Sequence, residues 1–139
     1  MIAAIAIGIG GYLHYDVWHS SYRHLPGRYA LVKQLFLVNA GLSVLVLLAL
    51  IISPARLVAV AGLLLSAGSL VAFALSRGPG LPTLHGSFKE TGLTPHEVQF
   101  LGQPAALIVL IAEGVAVVLC LGLALRRGSG DVRPRLSFA

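Results

Sequence analysis

The side chains that could carry chemistry are five histidines and a few carboxylates, in a chain that is 57% apolar and only 11% charged. Three of these histidines, His14, His19 and His24, recur every five residues. Five residues turn a helix by about 500°, so successive rings would lie about 140° apart rather than on one face. A metal site on this helix alone is therefore not predicted, and His85 or His96 would have to complete one. Exposed histidines at the membrane interface are the simpler interpretation.

A second group of polar residues is predicted at one depth inside the membrane. Glu113 interrupts the apolar run "ALIVLIAEGVAVVLCLGL", where an acidic side chain costs roughly 3 kcal/mol on insertion scales. It should therefore face the interior of the bundle and find a partner there. Counted from the predicted inner ends of the spans, the four residues of this layer each lie about 12 to 13 residues up, or about 18 to 20 Å. They are His14, Asn39, Ser69 and Glu113, one from each span.

Two interpretations of this intramembrane polar layer stay open. The layer could be structural, because hydrogen bonds between membrane helices fix the register of a bundle. It could instead be functional, as a proton relay or a pocket for a metal ion, a haem or a quinone-like molecule. A bis-histidine haem is excluded, since the layer has one histidine. No catalytic residue is predicted, and the remaining polar candidates all belong to the predicted outer face: Asp16, His19, His24, His85, Glu90 and His96.

The elements that would position these residues are four apolar stretches. A hydrocarbon core of about 30 Å needs roughly 20 apolar residues per helix. The sequence predicts spans at about residues 1–22, 30–52, 54–76 and 95–125, followed by a basic tail at 126–139. The fourth helix is expected to start near Pro95 and to be kinked at Pro104. The fold class is thus all-α, a four-helix transmembrane bundle that forms a single domain over residues 1–139.

The orientation of the bundle rests on its charged residues. Lysines and arginines divide evenly between the two sides. Arg126 and Arg127 follow the fourth span directly, whereas Asp16 and Glu90 lie among the basic residues of the opposite loops. Because basic residues mark the cytoplasmic side, this favours both termini in the cytoplasm (N-in, C-in) and two outward-facing loops.

Four short motifs resemble a group of small four-span bacterial integral membrane proteins of unknown function. The motifs are "LHYDVWHSSYR" (Leu13–Arg23), "LFLVNA" (Leu35–Ala40), "GLPTLHGSFKETGLTP" (Gly80–Pro95) and "IAEGVAVV" (Ile111–Val118). The resemblance implies that His14, Asn39, Glu90 and Glu113 occupy positions where those proteins carry the same residue types. It implies no activity.

Composition and motifs together bound the function. The net charge of +5 belongs to residues that flank the spans, so it indicates lipid headgroups rather than nucleic acid. We expect a multi-pass protein of the cell (cytoplasmic) membrane, a non-enzymatic accessory or assembly subunit that contacts lipids and other membrane subunits or a second copy of itself. The alternative is a bundle that handles a metal ion, a quinone-like molecule or protons through the polar layer. The sequence identifies no particular cofactor or metal.

Overall fold

The computed structural model describes residues 1–53, 55–83, 86–89, 99–100 and 102–126. His85, Glu90 and His96, together with all of the basic tail after Arg126, lie outside the described residues. Four long helices account for most of the described chain. They are α1 (Ile2–Ser20), α2 (Ala30–Ile52), α3 (Arg56–Arg77) and α4 (Ala105–Leu125).

Three of the helices are long and apolar enough to cross a membrane. These are α2 with the short turn before it (Gly27–Ile52), α3 and α4, with mean hydropathies of 2.8, 2.3 and 2.7. At 1.5 Å per residue the helices α2, α3 and α4 themselves, without the turn before α2, are each about 30 to 35 Å long, which is enough to cross a hydrocarbon core. Helix α1 is less apolar because its second half carries His14, Asp16 and His19. The chain is therefore a helical protein with the composition of a membrane protein.

The start of the fourth helix differs from the prediction over 95–125. Helix α4 begins at Ala105, and the residues just before it form two short antiparallel strands, β3 (Gln99–Phe100) and β4 (Gln103–Pro104). Gly102, at φ +73°, reverses the chain between them. Pro104 has extended backbone angles and stands directly before the helix, so it does not kink it. A proline also disfavours helical angles at the residue preceding it, which explains why the helix cannot continue back through Gln103.

The other helix boundaries lie close to the predictions. Helix α2 spans the predicted residues 30–52, and α3 begins two residues later than predicted, at Arg56. Helix α1 ends at Ser20, and the next residues, Tyr22–His24, form a turn of 3-10 helix.

The loop after α3 folds back over the bundle. It contains a small antiparallel hairpin of β1 (Leu81–Thr83) and β2 (Gly86–Phe88), with Leu81 opposite Phe88. The Phe88 ring lies 5.9 Å from the ring of Tyr22 and 5.3 Å from that of Tyr29, both in the first loop. We call this side, where residues 21–29 meet the hairpin of β1 and β2, the loop end of the bundle.

Helix α1 lies at the centre of the packing. It packs against both α2 and α4, α3 packs mainly against α4, and the α2–α3 contact is the least extensive of the four. Helix α1 buries eight residues, whereas α2 and α3 bury four each. Helices approach closely in membranes when small residues meet, and the buried side of α1 is built largely of alanine and glycine.

Two glycines make this close approach possible. A Cβ added to Gly11 would collide with the Cβ of Ser43 on α2. A Cβ added to Gly62 on α3 would lie 2.9 Å from Cys120 Sγ and 3.0 Å from Ile7 Cδ1. Gly11 and Gly62 thus allow short distances between the helices in the part of the bundle away from the loop end.

Replacing Gly11 by alanine should therefore destabilise the bundle. Ser43 Cβ is fixed to the backbone and cannot rotate away, so the helices must separate, at a cost of about 1 to 3 kcal/mol. The measurement is the free energy of unfolding in mild detergent. Gly41→Ala is the matched control, because nothing lies within 4 Å of a Cβ added there, and it should leave stability unchanged or slightly raised. Equal stability of the two variants would contradict the packing described for α1 and α2.

Candidate functional site

The structure brings three of the four predicted layer residues together. His14 of α1 lies between Ser69 of α3 and Glu113 of α4. Ser69 Oγ is 3.2 Å from His14 Nε2, and Glu113 Oε1 is 4.0 Å from His14 Nδ1. His14 and Glu113 are both buried. Side chains from three separate helices thus form one polar cluster within the apolar bundle.

The hydrogen bonds of His14 determine which ring nitrogen carries a proton. Nδ1 lies 2.8 Å from the carbonyl oxygen of Gly10, one turn earlier on the same helix. A carbonyl oxygen only accepts, so Nδ1–H must be the donor. In the neutral ring, Nε2 is then the acceptor for the Ser69 hydroxyl. The ring is held from both sides, which fixes its orientation and its tautomer.

Glu113 occupies a site shaped by glycine and serine. Glu113 is only 2% exposed. A Cβ added to Gly10 on α1 would lie 2.9 Å from Glu113 Oε1. Ser66 and Ser69 of α3 face the carboxyl from the other side. The buried Ser66 hydroxyl makes no hydrogen bond of ordinary length and angle within the described chain. The carboxyl thus has polar neighbours on α1 and α3, as a charge-bearing group inside a membrane bundle requires.

Asn39, the fourth predicted layer residue, is not hydrogen-bonded to the other three. Its Oδ1 accepts a hydrogen bond from Ser43 Oγ on the same helix, at 3.3 Å. The amide nitrogen of Asn39 has no acceptor within the part of the chain that the structure describes. The side chain is half-buried and reaches the cavity that His14 and Ser69 also line.

This cavity, of about 490 Å³, lies between the four helices at the loop end. Its walls are mostly leucine, valine, alanine and phenylalanine, and its polar groups include His14, Asn39 and Ser69. Glu113 does not line it and lies on the other side of His14. Ligand pockets of about 300 to 1,000 Å³ typically combine apolar walls with a few placed polar groups. The cavity has both the size and the chemistry of a small-molecule site.

The predicted outer-face residues do not form a second site in the described chain. Exposed His19 stacks on Tyr15 with ring centres 5.9 Å apart, and the exposed His24 accepts a hydrogen bond from Arg23 Nε at 2.9 Å. Asp16 is half-buried, and its backbone carbonyl accepts from Ser20. Among the described residues, no group of three or more histidine, cysteine or acidic side chains is placed to hold a metal ion.

Three neighbours of the predicted layer residues were not themselves predicted to belong to a site. Gly10 supplies the carbonyl that orients His14, Ser66 faces Glu113, and Ser43 binds Asn39. The signal for each was helical spacing: Gly10 precedes His14 by four residues, Ser66 precedes Ser69 by three, and Ser43 follows Asn39 by four. Residues three or four apart share a helix face.

Comparison with protein-family models, curated proteins and solved structures gives no match for this chain. The resemblance to small four-span bacterial proteins therefore stays a prediction, and function has to be inferred from the cluster and the cavity.

The tautomer of His14 can be tested by ¹⁵N solid-state NMR of the protein in bilayers. We expect the Nδ1 resonance of His14 to be that of a protonated nitrogen, because the Gly10 carbonyl oxygen can only accept a hydrogen bond. The Ser69→Ala variant should change the Nε2 resonance and leave Nδ1 protonated. An unprotonated Nδ1 would contradict the hydrogen bond to Gly10. The exposed His19 provides the control, since its ring has no such backbone partner among the described residues.

Proposed function

We propose that this protein is a non-enzymatic integral membrane protein that binds a lipophilic molecule with a polar end in the cavity at the loop end. The observation that supports this most directly is the cavity itself, of about 490 Å³, with apolar walls and with His14, Asn39 and Ser69 on its lining. A close-packed bundle would fill such a space with side chains. Polar groups on the wall of an apolar cavity fix the orientation of a bound molecule.

The proposal includes four membrane spans with both termini in the cytoplasm. Helix α1 is about 28 Å long at 1.5 Å per residue and packs between two helices that are apolar enough to span. Its polar second half lies at the loop end, where His19 and Trp18 would meet the interface. The loop end, and with it the cavity, would then belong to the outward-facing half of the membrane.

The polar cluster has a defined part in this function. Ser69 and His14 line the cavity, and Glu113 lies behind them at 4.0 Å from the ring. A polar ligand end inside the cavity would thus be near an imidazole whose tautomer is fixed. The two interpretations of the layer then combine, because the bonds that hold three helices together also present the polar wall of the site.

A subunit role in a larger membrane complex is the second candidate. One observation favours it: Gly114 and Gly122 on α4 have nothing within 4 Å of an added Cβ, so they serve no close packing within the described chain. Gly122 and the neighbouring Val118 are exposed. Small residues on a membrane-facing helix surface allow another helix to approach.

Purification in mild detergent from the native membrane, followed by mass spectrometry of the co-purifying molecules, tests the proposal. We expect a lipophilic molecule at near-stoichiometric amount with the wild-type protein. The Asn39→Leu variant, which keeps the branching of the side chain and removes its amide, should carry about fivefold less, because one hydrogen bond contributes about 1 kcal/mol.

Ser43→Ala is the matched control for this experiment. It removes the same Ser43–Asn39 hydrogen bond but leaves the amide on the cavity wall, so it should retain the bound molecule. If the wild-type protein carried no lipophilic molecule and instead co-purified with a stoichiometric protein partner, the binding function would be wrong and the subunit role would be supported.

A further inference from the structure

Three aromatic rings line the cavity at the loop end. Tyr22 is buried and stacks on Phe36 with ring centres 4.3 Å apart, and Phe88 lies against Tyr22 at 5.9 Å. All three rings line the cavity. Phe36 also reaches the polar cluster, with its ring centre 5.4 Å from that of His14. Within the described chain, aromatic rings thus form part of the cavity wall at the loop end.

The side of the cavity between α2 and α3 is different. Several residues that line the cavity there are also strongly exposed, among them Val38 on α2 (54% exposed) and Leu64 on α3 (67% exposed). Gly68 of α3 lines the cavity, is exposed, and has nothing within 4 Å of an added Cβ. The α2–α3 contact is also the least extensive between neighbouring helices. We call this gap, bordered by Val38, Leu64 and Gly68, the α2–α3 opening.

The polar groups of the cavity indicate what kind of molecule it takes. The Ser43 hydroxyl donates a hydrogen bond to Oδ1 of Asn39. The two N–H donors of the Asn39 amide therefore remain available for a ligand within the described chain. They match a ligand oxygen that accepts, such as a carbonyl. Phe36 and Phe73 also line the cavity, and aromatic side chains pack favourably on a flat ring. The chemistry is that of a ring carbonyl compound with an apolar chain.

From these observations we infer that the cavity receives a quinone-like ring carbonyl compound from within the bilayer, through the α2–α3 opening. This inference rests on the proposed binding function and adds the class of ligand and its route. The ring carbonyl accepts a hydrogen bond from the Asn39 amide, and the apolar chain lies past Gly68 among the lipid tails. No chemical change of the ligand is part of the inference.

The test uses a photoactivatable benzoquinone with a decyl chain, mixed into liposomes that contain the reconstituted protein. After illumination, the labelled peptides are identified by mass spectrometry. We expect labelling of wild-type protein on the peptides that line the cavity, competed by unmodified decyl benzoquinone. In Gly68→Phe, whose side chain would occupy the α2–α3 opening, labelling should fall about tenfold, as expected for a binding loss of about 1.4 kcal/mol.

Gly41→Phe is the matched control. Gly41 is also an exposed glycine of a membrane helix with nothing within 4 Å of an added Cβ, but it does not line the cavity. Labelling of this variant should equal that of wild type. Both variants should elute as single species and unfold at the wild-type temperature, so that a loss of labelling reports on access and not on folding.

The outcomes separate the inference from the function on which it rests. Equal labelling of Gly68→Phe and wild type, together with loss in Asn39→Leu, would overturn the route. No labelling of the wild-type cavity would overturn the ligand class, even if another lipophilic molecule co-purifies with the protein and so supports binding. Absence of both labelling and a co-purifying molecule would overturn the binding function as well.

Discussion

The burial of one carboxyl group in an apolar bundle is the constraint on which the rest of the structure depends. Glu113 is 2% exposed in the middle of a helix that is otherwise apolar, and such a group needs polar neighbours because lipid offers none. The neighbours come from α1 and α3: His14, Ser66 and Ser69. For them to reach the carboxyl, α1 must lie close to α4, and Gly10, which has no side chain, leaves space for the carboxyl there. The position of α1 between α2 and α4 follows from this requirement.

The two ends of the bundle are packed by different means. At the end opposite the loop end, alanines and glycines let the helices approach, and buried Ala3, Ala4 and Ile7 pack with Leu50 and Cys120. At the loop end, the helices carry larger side chains and aromatic rings, which hold them apart and leave the cavity. The polar cluster lies where these two regimes meet. A change in the hydrogen bonds of the cluster would therefore alter both the close packing of the helices and the shape of the cavity.

Much of the helical framework could be predicted from the sequence, and the reasons are physical. The residues 30–52 of α2 are a long apolar run between a Pro-Gly turn and a short connection, and the helix has those bounds. That His14, Ser69 and Glu113 lie at one level of the bundle could be predicted, because the rise per residue of a helix is constant. The predicted start of α4 was wrong. The capping pattern near Pro95 indicated a helix start, but the chain turns at Gly102 and is extended at Pro104, so the helix begins only after these residues. The level of a residue along a helix does not determine how the helix is rotated about its axis. The hydrogen-bond partner of Asn39 and the presence of the cavity therefore could not be predicted from the sequence.

The placement of Cys120 has a practical consequence for spectroscopy. This single cysteine of the chain is fully buried against Ile7 and Gly62, so its thiol is shielded from water-soluble alkylating reagents. The folded protein therefore behaves as a cysteine-free background without any substitution. Spin labels or fluorophores attached to cysteines introduced on either side of the bundle would report distances without a competing native label. For the same reason, a covalent dimer seen under oxidising conditions could not be attributed to a disulfide between folded copies.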